Sequence, residues 1–494
     1  VRWTSAPWRP PHWWSPHPPH GIGSLRGAIS LAYDITTTIT FAPGLNGSTI
    51  PLGNTGTGIT PLTNIAIDAS ALSSGITISG GGANGNFRLF FVPANTTVAF
   101  RNLTLTGGGG SNFAGQGGAI DNAGTATVSQ CVFNNNPLAA NSGNGGCIYN
   151  EPTGSMTFNQ CSFIGNSVNG NAAGGAISND GFMAVNASTL SGNRAASGGA
   201  ILNNGTLALT QCTLAGNYTT GSSPAGQGAA IYSGAGAVGI TQCTIALNTG
   251  SDGGGIYNAG GTLTLTNSIV DTNTAQTGAD IDNHATLVRA GVNIVLSYAG
   301  AAATGSGTIK FVAPSLALLG NYGGLTQTMA LLMGSPARDA AVGSAFTTDQ
   351  RGFAITDGKP DIGAYEAGDI TNFNAWIYET LPAYTSAKPA IHAASYDYDG
   401  DGVSNYNEWL AQTNPVDPAS YLHITQTTLS ATTLTVTFPS VAGRSYTVES
   451  STDLKTWTQI DGPLTGAGSP ITRNYSFSSG VTPRLFLRAS VGAP

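Results

Sequence analysis

The sequence predicts an all-β protein: a right-handed parallel β-helix closed at its start by a short cap helix, followed by a small C-terminal β-sandwich. Three observations carry this. A Gly-Gly-x-Ile-x-Asn box recurs from Gly117 at intervals of 24 to 30 residues, a period that marks a solenoid. Asn residues return at two fixed points of each repeat, as stacked rungs require. Charged residues make up only 8% of the 494 residues, against 40% hydrophobic residues and 69 Gly. Such a chain buries a core and does not resemble a charge-rich disordered one.

Residues 1–22, with six Pro and three His, lack a continuous apolar run and a small-residue cleavage site. They read as a disordered or non-native leader rather than an intact secretory signal, and their His as incidental rather than metal-binding. Residues 23–310 form the predicted β-helix. The stretch "GSLRGAISLA" from Gly23 reads as an amphipathic helix covering an otherwise open end, as terminal units of solenoids do. Weaker coils follow, with Leu103 and Leu105 in the third-strand position. The seven boxes then begin at Gly117, Gly145, Gly174, Gly198, Gly228, Gly253 and Gly278. Within the unit from Gly198, Ile201, then Leu207 and Leu209, then Cys212 and Leu214 recur at strand spacing, separated by Gly, Asn and Thr turns.

Identical positions stack into columns. Asn122, Asn150, Asn179, Asn203, Asn258 and Asn283 end the box, and Asn136, Asn166, Asn193, Asn217, Asn248 and Asn273 close the third strand. A primary amide donates to the next coil and still serves its own turn, so both columns read as structural. Cys131, Cys161, Cys212 and Cys243 form another column, interrupted by Ser188. Neighbours in it can approach disulfide distance; an unbonded stack of small buried side chains is the favoured alternative. Tyr149, Tyr232 and Tyr257 follow the box Ile and face outward, either to bind glycan or to cover the coil.

The pairing of "GGAI" with "FNNN" and "FIGN" resembles the repeats of chlamydial polymorphic outer-membrane proteins and related bacterial surface β-helices. Residues 311–370 are expected to close the β-helix. Their "LLGNYGGLTQTMALLMGSPARDAAVG", "DQRGF" and "PDIGAYE" resemble the closing segment of bacterial choice-of-anchor Q domain proteins, which implies secretion or surface display and no known catalytic activity. Asp349, Arg351 and Asp361 read as salt-bridging residues of this cap.

The sharpest motif is "DYDGDGVSNYNE", within an expected linker of residues 371–420. Counting Asp397 as position 1 places Asp399 at 3, Asp401 at 5, Gly402 at 6, Val403 at 7, Asn405 at 9 and Glu408 at 12. This is the Ca²⁺-loop pattern of an EF-hand, in which short carboxylates, the position 7 carbonyl and a bidentate Glu surround a hard cation. Asp397, Asp399, Asp401, Val403, Asn405 and Glu408 are the expected ligands of a structural Ca²⁺. The segment resembles dockerin and thrombospondin type 3 repeats. Residues 421–494 alternate as strands; "SYTVESSTDLKTWTQI" is similar to C-terminal fibronectin-like modules of secreted bacterial proteins, with Trp457 as a packing residue rather than a ligand platform.

Function classes follow. The net charge is −7 and no Lys precedes Lys310, which argues against phosphate-neutralising nucleic-acid binding. No apolar run is long enough for a transmembrane helix. The β-helix fold also hosts polysaccharide lyases and hydrolases. The one matching coincidence is that Glu151 and Asp180 each follow a ladder Asn in adjacent coils, about one strand spacing apart. No aromatic or basic residue is expected beside them. The reading is therefore a non-enzymatic extracellular or cell-surface β-helix with adhesin-like character, its expected partner a cell-envelope or matrix polysaccharide. The alternative is a polysaccharide-active enzyme using Glu151 and Asp180.

Overall fold

The computed structural model describes residues 2–4, 24–32, 37–52, 58–81, 88–109, 116–138, 143–221, 226–369, 371–381, 391–476 and 485–492. The chain divides into two units, Val1–Ala367 and Gly368–Pro494. The first is a parallel β-solenoid of about nine turns, the number of strands in the sheet formed by the boxes.

The unit from Gly198 shows how a coil is made. Gly198 and Gly199 turn the chain into the strand Ile201–Asn203, which belongs to the nine-stranded box sheet. Thr206–Thr210 then runs in an eleven-stranded middle sheet and Thr213–Ala215 in an eleven-stranded return sheet. Gly198 has φ +60°, and a Cβ there would meet the Ile201 carbonyl at 2.6 Å; only Gly fits this turn. Ile201, Leu207, Leu209, Cys212 and Leu214 are all buried in one continuous core. Register along the box sheet aligns Ile148, Ile177, Ile201 and Ile231 without slippage. Between the middle and return sheets, Gln130, Gln160, Ala187, Gln211, Gln242 and Asn267 adopt the left-handed conformation, with φ between +45° and +55°. That bend makes the sharp corner of every coil.

Both Asn columns are hydrogen-bonded ladders. Asn122 Nδ2 donates to Asn150 Oδ1, Asn150 to Asn179 and Asn179 to Asn203, each at 2.8 Å. The second ladder runs from Asn136 to Asn273 with steps of 2.8 to 3.1 Å. The five Cys are free and buried, so the column is unbonded. Its side chains also accept hydrogen bonds: Cys243 Sγ receives the Cys212 N–H at 3.3 Å, and Ser188 Oγ receives the Cys161 N–H at 2.9 Å. Cys and Ser exchange at this position because each is a small acceptor beside the left-handed bend.

The expected cap helix α1 spans Leu25–Ser30, with Ser24 as its N-cap and Leu25, Ala28 and Ile29 buried in the solenoid core. Arg2–Thr4 adds a strand antiparallel to the first strand of the middle sheet, where the sequence suggests an unstructured leader; pairing satisfies an otherwise open sheet edge. The other residues of that leader, 1 and 5–22, lie outside the described residues.

Residues 311–366 run along the outer flank of the return sheet instead of sitting only over the last coil. Gln350 is the hub, donating to Thr189 Oγ1 and Thr326 Oγ1 and accepting from Thr213 Oγ1 at 2.6 Å. Ala364 N donates to Thr244 Oγ1, and Asn267 Nδ2 to the Val342 carbonyl. Met329 packs on Ala215 and Ala246. Arg351 pairs with Asp349 at 2.7 Å and lies 3.8 Å from the Tyr365 ring centroid, whereas Asp361 accepts from the Asp339 and Ala367 N–H groups.

The second unit contains helices α2, Phe373–Thr380, and α3, Asn405–Ala411, and two three-stranded antiparallel sheets. Trp376, Ile377, Leu381, Trp409 and Leu410 form one core and Phe438, Tyr446, Val448 and Leu464 another. The Arg444 guanidinium covers Trp409, and that of Arg488 covers Trp457 at 4.3 Å. Among the described residues no helix is long and apolar enough to cross a membrane.

Candidate functional site

Two places gather chemically capable side chains. The first is the loop 397–408. Asp397 is fixed by its own turn: Oδ1 accepts from Gly400 N at 2.7 Å and Oδ2 from Gly402 N at 2.9 Å. Asp401 Oδ1 likewise accepts from Val403 N at 2.7 Å. These bonds bring carboxylate oxygens of Asp397, Asp399 and Asp401 within 4.8 Å of one another. Ser404 then caps α3 by accepting from Asn407 N, and the first turn of that helix delivers Glu408 back toward the three aspartates.

Glu408 decides what the loop can do. Its side chain is fully buried, and neither carboxylate oxygen has a hydrogen-bond partner. Asp399 Oδ2 and Asp401 Oδ2 are also buried without partners. Burial, then the nearby Asp399, Asp401 and Asp397 charges, push the Glu408 carboxyl up to about 8; burial foremost also raises Asp399. An unpaired buried carboxylate among three others is costly, and a hard divalent cation removes that cost with the same oxygens. The donor set fits Ca²⁺. Asn405 is buried with Nδ2 bonded to the Ile391 and Ala393 carbonyls at 2.7 and 3.0 Å and Oδ1 unpartnered. Its amide is therefore anchored on the oxygen-free side, and Val403 is held by Asp401 through its own N–H.

Neither a protein-family model nor a curated protein matches this chain.

The second place is the outer side of the box sheet. Register puts Phe91, Asp121, Tyr149 and Ser178 in one outward column. Asp121 is buried, its Oδ2 lies 2.6 Å from Arg88 Nη2, and its Oδ1 receives no N–H. Arg88 is held in turn by the Gln116 carbonyl at 2.9 Å. Burial pushes Asp121 up to about 7, with Arg88 opposing and Glu151 reinforcing the shift. One coil on, Asp180 accepts from Tyr149 Oη at 2.8 Å and from Asn204 Nδ2 at 2.9 Å. Further along, Tyr232 and Tyr257 stack at 5.6 Å, Tyr257 meets His284 at 5.0 Å, and His284 Nε2 lies 3.0 Å from Asp282 Oδ1.

Glu151 and Asp180 therefore do not act as an isolated pair. Tyr149 and Asn204 engage Asp180, and the expectation of no aromatic or basic neighbour is corrected by Tyr149 and by the nearby Arg88 charge. Tyr149 is also buried, so the three tyrosines do not make one exposed stripe. Asp121 and Arg88 were missed. Asp121 holds the variable position of the first box, the position of Tyr149 in the next, and this shared column was the available signal; Arg88 lies in a coil without a box, where nothing periodic marks it.

Proposed function

We propose that the chain is a non-enzymatic scaffold of the cell exterior, adhesin-like in character, whose second unit is organised by one structural Ca²⁺. The observation that carries the metal is Glu408, buried with two unpartnered oxygens beside three aspartates. Loops of this kind in extracellular modules bind at about 10⁻⁴ to 10⁻³ M, a range suited to Ca²⁺ outside cells and not to the resting cytosol. The solenoid supports the scaffold half of the reading: two amide ladders and one unbroken core make a rigid rod whose side chains are used almost entirely for stacking. Its expected partner is polysaccharide of an envelope or matrix.

Calorimetric titration with CaCl₂ tests the metal. Wild-type protein binds one Ca²⁺ and Asp397→Ala none; equal binding by both overturns the assignment. A second reading, hydrolysis or elimination of polysaccharide by Glu151 and Asp180, is favoured by their places directly after ladder Asn residues of adjacent coils. A pair of carboxyls supplies the elements of general acid and base catalysis. Turnover of any soluble polysaccharide that is lost in Glu151→Gln replaces the scaffold reading with this one.

A further inference from the structure

Two cores meet in the second unit, and the helix that carries Glu408 touches both. α3 buries Asn405, Glu408, Trp409 and Leu410. Trp409 and Leu410 belong to the helical core with Trp376, Ile377 and Leu381. The β-sandwich keeps a core of its own around Phe438, Tyr446, Val448 and Leu464. Val491, on the strand Phe486–Gly492, packs against both cores. Arg444, directly before the strand Ser445–Ser451, is buried with its guanidinium carbon 4.5 Å from the Trp409 ring centroid. Val491 and Arg444 therefore seat the sandwich on the helical core.

The same helix is held from the side of the acidic loop. Asn405 N donates to the Tyr396 carbonyl at 2.7 Å and Tyr406 N to that of Ala394 at 3.0 Å, while Tyr398, between the first two aspartates, packs on the helical core. α3 has only 7 residues, too few for a helix to persist by itself in water, so packing on these two sides keeps it in place. Glu408 and Trp409 are consecutive residues, one on each side. Without a cation the buried Glu408 carboxylate stands beside three aspartates and accepts no hydrogen bond. Repulsion and desolvation then drive it toward water. Turning Glu408 outward withdraws Trp409 from Arg444, because adjacent residues of one helical turn move together.

We propose that the loop 397–408 is a Ca²⁺-operated latch for the β-sandwich: the loaded loop holds the helical core against Arg444 and Val491, and loss of the ion frees the sandwich as a folded module. The proposal rests on the Ca²⁺ reading of the loop and adds what the ion controls. Coupling of this kind is reciprocal, so the seated sandwich also strengthens Ca²⁺ binding.

Trypsin digestion and calorimetry of the full chain test it. Arg444 is buried at the seam, whereas Lys455 sits in an exposed bend of the sandwich. In chelator the initial rate of cleavage after Arg444, relative to that after Lys455, is about tenfold or more above its value in CaCl₂, because cleavage tracks the population of the open form. Arg444→Gln still binds one Ca²⁺ but about five- to tenfold more weakly. Arg488→Gln removes the guanidinium over Trp457, on the face of its strand opposite Val491, and binds Ca²⁺ as wild type does. An unchanged relative rate at Arg444, wild-type affinity in Arg444→Gln, or equal weakening in Arg488→Gln overturns the latch and leaves the metal. Absence of Ca²⁺ binding to the wild type overturns the metal reading, and the latch with it. The digestion uses wild-type protein, so it tests the latch even if Arg444→Gln fails to fold.

Discussion

Arg88 Nη2 lies 2.6 Å from Asp121 Oδ2, joining two adjacent turns of the solenoid by an ion pair with little solvent access. Removing the cation leaves a buried carboxyl whose remaining neighbour is another acid. Arg88→Met is expected to cost about 3–5 kcal/mol of stability, measured by denaturant unfolding. Adding Asp121→Asn to that variant restores most of the loss, because the uncompensated charge is then gone.

The ladders make a separate prediction. Asn193 Nδ2 donates to the Phe163 carbonyl and to Asn217 Oδ1, and its Oδ1 accepts from Asn166 N and Nδ2. Asn193→Ala orphans these partners in a buried position, at about 2–4 kcal/mol. Asn169 is exposed, and Asn169→Ala stays within about 0.5 kcal/mol. Urea unfolding of the two variants compares them directly.

Asp271 gives the solenoid a pH dependence. It is fully buried, follows Ala215 and Ala246 in the same column, and neither carboxylate oxygen has a partner. Burial, then the nearby Asp280 charge, raises its carboxyl to about 6, above the ordinary carboxylate range. The folded state therefore holds this proton more tightly than the unfolded state. Its stabilising contribution is complete below pH about 4 and is lost as pH rises through about 6. Asp271→Asn is expected to be more stable than wild type at pH 8, by about 1–2 kcal/mol, with that advantage absent at pH 4. Thermal melts at both values check the sign.

Much of the solenoid was legible because periodic positions report themselves: the box Gly, the interior Ile and both Asn columns each repeat in sequence and in space. The left-handed Gln130 to Asn267 column was less visible, since Gln, Ala and Asn share no composition there and only the bend unites them. The lateral course of residues 311–366 was hidden for another reason. Gln350 meets Thr213 across 137 residues, and a single amide docking on threonine hydroxyls leaves no pattern. At the acidic loop 397–408 the spacing named the acids, but the isolation of the Glu408 oxygens is a property of packing. The Asp121 and Arg88 pairing combines a box position with a residue outside the boxes, so only the fold brings them together.

Differential scanning calorimetry of the full chain in CaCl₂ and in chelator tests the proposal that Ca²⁺ organises the second unit. At a free Ca²⁺ concentration about 100 times the dissociation constant, binding to the folded loop adds about 2.7 kcal/mol, a shift of about 10 °C for a unit of this size. One transition is expected to move up by this amount in wild-type protein and none in Asp397→Ala. Identical transitions in CaCl₂ and chelator for the wild type, or an undiminished shift in Asp397→Ala, would contradict it.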